Sequence, residues 1–161
     1  MRAAFLVIDV QKAFIKHMGQ DKLDLMLEYI NEVSEMFRKA KCPVVMIQDL
    51  EAGDGPGSRG FELVDGLHVH SEDYRVEKAF SNSFWKTGLE EYLKKEEIEF
   101  LVISGFAAEY CVLFTYNGAD ERGFKPVILQ NGVAGISEVG EQSLITHRNL
   151  ISFVAIEHML G

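Results

Sequence analysis

Three side chains far apart in the chain have types that together suit acyl transfer: Asp9 in LVIDVQKAF, Lys78 in VEKAFSNSF and Cys111 in FLVISGFAAEYCV. A thiolate is a strong nucleophile, a carboxylate can take and return its proton, and an ammonium group stabilises the charge left on sulfur. Cys111 follows the apolar run Phe100 to Ile103 and the break Ser104-Gly105, near the start of a stretch that reads as helix. Unpaired N–H groups at a helix start favour an anion, so this setting predicts partial thiolate character at Cys111. Taken singly, each residue also has an ordinary structural reading: a turn-forming aspartate, a solvated lysine and a core cysteine. Whether they meet depends on the elements that carry them.

Ala3 to Ile8 and Pro43 to Ile47 are unbroken apolar runs of the kind that strands show when both faces are buried. Between them Leu23, Leu25, Met26, Ile30, Val33, Met36 and Phe37 recur at helical spacing. The alternation then predicts a strand at Tyr74 to Lys78, a helix at Trp85 to Lys94, a strand at Phe100 to Ile103 and a helix at Tyr110 to Arg122. It continues with a strand at Lys125 to Gln130, a helix at Glu138 to Asn149 and a last strand at Ser152 to Ile156. Strands alternating with helices through short connections predict an α/β fold, a single-domain three-layer sandwich with a central parallel sheet and helices on both faces. Ligands in such sheets bind outside the carboxyl ends of the strands. Asp9 ends the first strand, Lys78 ends the third and Cys111 follows the fourth. The glycine-dense loop from Ala52 to Phe61 is a candidate lid.

A length of 161 residues suits one domain spanning 1–161, and a net charge of −9 with dispersed acidic residues argues against a nucleic-acid footprint. No stretch approaches the roughly 18 apolar residues that cross a bilayer, so no membrane partner is expected. Two cysteines, Cys42 and Cys111, make no disulfide framework, and the expected compartment is the cytoplasm.

The chain resembles the isochorismatase-like cysteine hydrolases, a superfamily that includes nicotinamidase, N-carbamoylsarcosine amidase and isochorismatase. The matching pieces, in the family's order, are LVIDVQKAF, VVMIQD, VEKAFSNSFWKTGLEEYL and the block from Phe100 to Ser137. The resemblance implies the isochorismatase-like, Rossmann-like version of the fold and a catalytic triad of Asp9, Lys78 and Cys111. It further implies a cis peptide at Phe106-Ala107, and an oxyanion hole made of the Ala107 and Cys111 N–H groups. Phe14, Trp85, Phe106 and Tyr110 are candidate walls of a substrate pocket, with Phe80 and Phe84 nearby in sequence.

The nicotinamidase-type metal site needs an aspartate followed two residues later by histidine, but this chain reads Asp49-Leu50-Glu51, with no histidine between Asp49 and His68. No metal or other cofactor is therefore expected, although His68 and His70 can share one face of an extended segment. The resemblance implies a small-molecule amide or carbamoyl substrate, cleaved through a thioester on Cys111, and a homo-oligomer. Two alternatives stay open: vinyl-ether hydrolysis of an isochorismate-like acid, and a catalytically silent member that acts as a binding subunit.

Overall fold

Every residue from Ala3 to Ile8 is buried, yet successive side chains leave on opposite faces: Ala4, Leu6 and Ile8 join one apolar cluster, and Ala3, Phe5 and Val7 join another. A strand buried on both faces must lie between two helical layers. The computed structural model describes residues 1–161 and shows that arrangement. In chain order its elements are β1 (Ala3–Ile8), α1 (Lys12–Ile15), α2 (Gln20–Lys39), β2 (Val44–Asp49), β3 (Tyr74–Lys78), α3 (Leu89–Lys95) and β4 (Phe100–Phe106). A π-helical turn (Ala108–Val112) leads into α4 (Leu113–Glu121), followed by β5 (Lys125–Ala134), α5 (Glu138–His147), β6 (Leu150–Ile151) and α6 (Phe153–Leu160). No helix is long and apolar enough to cross a membrane.

All neighbouring strands are parallel, in the order β3-β2-β1-β4-β5-β6. The chain winds outward from β1 in one direction through β2 and β3, and from β4 in the other through β5 and β6. The crevice between β1 and β4 is therefore the topological switch point, where doubly wound sheets bind ligands. On one face α2 and α6 bury Met26, Ile30, Val33, Phe37 and Ile156; on the other α3, α4 and α5 bury Leu89, Leu93, Ala119 and Leu144.

Two expectations about elements need correction. The segment from Ser152 to Ile156 is not a strand: pairing stops at Ile151, and Ser152 caps α6 by accepting a hydrogen bond from the Ala155 N–H at 3.2 Å. A short apolar run carries no decisive period, and the serine cap settles it as helix. The expected helix from Trp85 begins only at Leu89, because Ser83 to Gly88 are held in turns by Thr87, whose hydroxyl donates to the Ser83 carbonyl at 2.6 Å.

The switch point is closed by one backbone approach. Gly105 is the register partner of Ile8 and has φ +110°, and a Cβ built on it would lie 2.1 Å from the Ile8 carbonyl oxygen. Only glycine fits, since both the conformation and the space exclude a side chain. Gly105→Ala should therefore lower stability by more than about 3 kcal/mol in urea unfolding, if the protein folds at all.

Candidate active site

Parallel pairing sets three ionisable groups in a row at the carboxyl ends of β1, β2 and β3. Asp49 and Lys78 are register partners, and Asp9 follows Ile8, the partner of Ile47. Asp9 has φ +51°, in the left-handed region that aspartate tolerates better than most residues. Lys78 is 1 % exposed, so its ammonium must find partners inside the protein. Its Nζ lies 2.9 Å from Asp9 Oδ2, 2.9 Å from Asp49 Oδ2 and 3.4 Å from Cys111 Sγ. The contacts to Asp49 and Cys111 are aligned hydrogen bonds. The contact to Asp9 is an ion pair lying off the hydrogen-bond direction, and neither carboxylate oxygen of Asp9 accepts an aligned bond from any protein group. Asp9 is thus a buried carboxylate that is ion-paired to Lys78 but accepts no aligned hydrogen bond.

Local structure fixes the other members. Cys111 sits in the π turn, where the Val112 N–H reaches back five residues to the Ala107 carbonyl at 3.1 Å. The Phe106-Ala107 peptide is cis, and the Ala107 N–H donates to no protein group. The Cys111 N–H makes no hydrogen bond outside its own turn. Buried Thr115 on α4 accepts the Ser83 N–H at 3.0 Å and bonds the Ser83 hydroxyl at 2.8 Å, which ties the chain after Lys78 to the helix after Cys111. Gln11 is wholly buried; its Nε2 donates to the carbonyls of Asp49 and Phe61, and its Oε1 accepts the Asp49 N–H at 2.8 Å. Those bonds clamp the end of β2 and the loop beyond it against the end of β1.

Electrostatics corrects the expected thiolate. Burial pushes the Cys111 thiol up to about 12, with the Asp9 charge adding to the rise and Lys78 opposing it. Burial likewise raises Asp9 to about 6, against the pull of Lys78. Two carboxylates already surround the one ammonium, so a thiolate would add a third negative group to a site with a single cation. Moving the proton from Cys111 to Asp9 leaves the total charge unchanged. The resting group is a thiol, with the Asp9 carboxylate beside it.

A cavity of about 280 Å³ opens on these groups, lined by Asp9, Phe14, Asp49, Glu51, Phe106, Ala107, Tyr110, Cys111 and Ile136. Phe14, Phe106 and Tyr110, expected as pocket walls, line this cavity. Trp85 does not: it lies outside the lining, half exposed, with the Lys86 ammonium 5.9 Å from its ring centre. Phe80 is also exposed, and Phe84 is buried against Phe124 with ring centres 5.7 Å apart. No residue from Ala52 to Phe61 lines the cavity, so the glycine-rich loop flanks it instead of covering it. Sequence reasoning missed Asp49 as a partner of Lys78, and it missed Glu51 and Ile136 as walls. The signal for Asp49 was present, since it ends β2 as Asp9 ends β1. A larger cavity of about 470 Å³ between α2 and α6 holds no nucleophile.

The residues do not fit a metal. Asp9, Asp49 and Cys111 bring potential ligand atoms within 4.8 Å of one another, but the Lys78 ammonium already stands among them, and a dication there would face it at contact distance. His68 and His70 lie elsewhere, at α2, where His70 Nε2 is 3.2 Å from Glu35 and Arg38 donates to the His68 carbonyl.

The isochorismatase domain family matches residues 3–155 of this chain. YrdC of Bacillus subtilis, an isochorismatase family protein, is 30 % identical over 140 residues, spanning 83 % of this chain and 74 % of its own. The solved nicotinamidase PncA of Bacillus subtilis superposes with a TM-score of 0.81 at 26 % identity, covering 91 % of this chain and 94 % of that one. N-carbamoylsarcosine amidase of Thermoplasma acidophilum has a TM-score of 0.81 at 23 % identity over 94 % and 95 % of the two chains, a likeness of fold.

With a thiol held near 12, the rate of Cys111 alkylation by iodoacetamide should climb steadily from pH 7 to pH 10, with no plateau, when followed by mass spectrometry. Lys78→Met removes the one group that opposes the rise of the thiol's pKa and should slow labelling at pH 8. A wild-type plateau below pH 9 would contradict this account.

Proposed function

The chain belongs to the isochorismatase family, and on that premise we propose that it is a cysteine hydrolase that cleaves the C–N bond of a small amide or carbamoyl compound. The observation that carries the reading is a half-buried thiol beside Asp9, a buried carboxylate that accepts no aligned hydrogen bond, at the mouth of a small cavity. Relatives named as nicotinamidase and N-carbamoylsarcosine amidase support amide chemistry. The vinyl-ether alternative leaves the thiol without a use. A silent binding subunit would have no need of a buried lysine held against two carboxylates.

In this mechanism Asp9 takes the Cys111 proton as Sγ attacks the carbonyl carbon, and the Lys78 hydrogen bond to Sγ stabilises the charge as it develops. The carbonyl oxygen becomes an oxyanion facing the Ala107 and Cys111 N–H groups, which reorganise little because the protein has not satisfied the Ala107 donor elsewhere. The C–N bond breaks, Asp9 returns the proton to the departing nitrogen, and an acyl thioester remains. Water then loses a proton to Asp9 and attacks the thioester carbon, and the proton passes to sulfur as the carboxylic acid leaves. Asp49 contacts none of the reacting atoms in this scheme; it positions Lys78. The exposed apolar side chains of Tyr110, Phe114, Ile136 and Val139 support assembly into a homo-oligomer, and two free cysteines fit a reducing cytoplasm.

A screen of small amides for ammonia release identifies a substrate. Cys111→Ala should then lower turnover by at least about 10³-fold, and intact-mass measurement of the wild type under turnover should show an acyl adduct on Cys111. Persisting ammonia release from Cys111→Ala would exclude the covalent route. Because Asp9 must be ionised to accept the thiol proton, kcat/KM should fall about tenfold per pH unit below about 6 and level off above it.

A further inference from the structure

Besides Asp9 and Asp49, the cavity wall carries one more carboxylate, Glu51, and nothing in the proposed chemistry uses it. Its backbone N–H donates to Asp49 Oδ1 at 2.9 Å, which anchors the residue at the cavity rim. Its side chain is exposed and forms no hydrogen bond or ion pair with the protein. No arginine, lysine or histidine lines the cavity. The one nearby cation, Lys78, has its side chain wholly buried beneath the floor and is already held by Asp9, Asp49 and Cys111. The remaining walls are three aromatic rings, Phe14, Phe106 and Tyr110, with Ile136.

Carboxylates combined with aromatic faces form the usual recognition surface for an organic cation, because ring quadrupoles and negative charge both attract it. Buried Asp9 lines the same cavity and shares the single Lys78 ammonium with Asp49, so it adds to the negative potential. An anionic substrate would meet three carboxyl groups and no available counter-charge. At about 280 Å³ the space is at the small end of ligand sites, so a substrate that places its scissile carbonyl at Cys111 also places its far end near the rim.

Resting on the amidase reading above, we propose that Glu51 is a specificity-determining residue that selects small amides carrying a cationic group, by pairing with that group at the rim of the aromatic-walled cavity. An ammonium or amidinium at the far end from the amide fits this surface; a carboxylate there is rejected.

The test uses the full chain with the nucleophile removed, Cys111→Ala, and calorimetric titration with three amides of matched length: pentanamide, 5-aminopentanamide and glutaramate. The expected order is 5-aminopentanamide tightest, by about 10-fold over pentanamide, with glutaramate weakest. Adding Glu51→Gln should bring the ratio of cationic to neutral affinity within about 2-fold, and Glu51→Lys should invert the order towards glutaramate. Equal affinities with Glu51 present, a cation preference that survives Glu51→Gln, or no measurable binding of 5-aminopentanamide at millimolar concentration would each overturn the proposal. A preference abolished by a chelator would overturn it as well, by assigning Glu51 to a metal ion. Since no turnover is needed, cation selectivity in Cys111→Ala together with a wild type that hydrolyses none of the amides would count against the amidase reading while retaining Glu51 as the group that binds the cation.

Discussion

The Lys78 ammonium, buried among Asp9, Asp49 and Cys111, is the interaction on which the rest of this site depends. An isolated buried ammonium costs several kcal/mol of desolvation, and an isolated buried carboxylate costs as much. Each is tolerated here because the others are present. The sheet supplies the geometry: adjacent parallel strands end in line, so Asp9, Asp49 and Lys78 emerge side by side, and the switch point brings the π turn with Cys111 to the same edge. Charge balance then decides the chemistry. With two carboxylates to one cation, the thiol keeps its proton at rest.

Much of the surrounding structure keeps that arrangement from relaxing. Gly105 lets β4 approach the Ile8 backbone, which brings Ala107 towards Asp9. The buried Ser83–Thr115 pair links the chain leaving Lys78 to the helix leaving Cys111. Gln11 spends both ends of its amide on the backbone at Asp49 and Phe61. None of these residues need meet a substrate, yet each narrows the positions that the ionisable groups can take. Such support preorganises a site, so that little reorganisation remains for the transition state.

Family membership and the site's own geometry answer different questions. The first places the chain among hydrolases of a shared α/β fold. The second concerns this chain's particular walls. Where the nicotinamidase pattern has histidine after Asp49, this chain has Glu51, and the change replaces a neutral ligand with a negative wall beside aromatic rings. The central lysine cluster stays intact beside this altered rim position.

The sequence by itself determined the sheet, because apolar runs such as Ala3 to Ile8 and Phe100 to Ile103 admit few alternatives once helices separate them. It also singled out Asp9, Lys78 and Cys111, since the first two end predicted strands and the third follows one. Short segments were less legible: Phe153 to Ile156 has no period that separates strand from helix, and a serine cap decided it. The protonation state of Cys111 was out of reach of sequence reasoning, because it depends on burial and on Asp49, whose pairing with Lys78 exists only once β2 and β3 are in register. The same holds for the cavity walls, where Tyr110 lies inside and Trp85 outside. Local patterning dictates which way a strand or helix faces, whereas pKa values and pocket linings arise from distances between groups that the chain brings together only when folded.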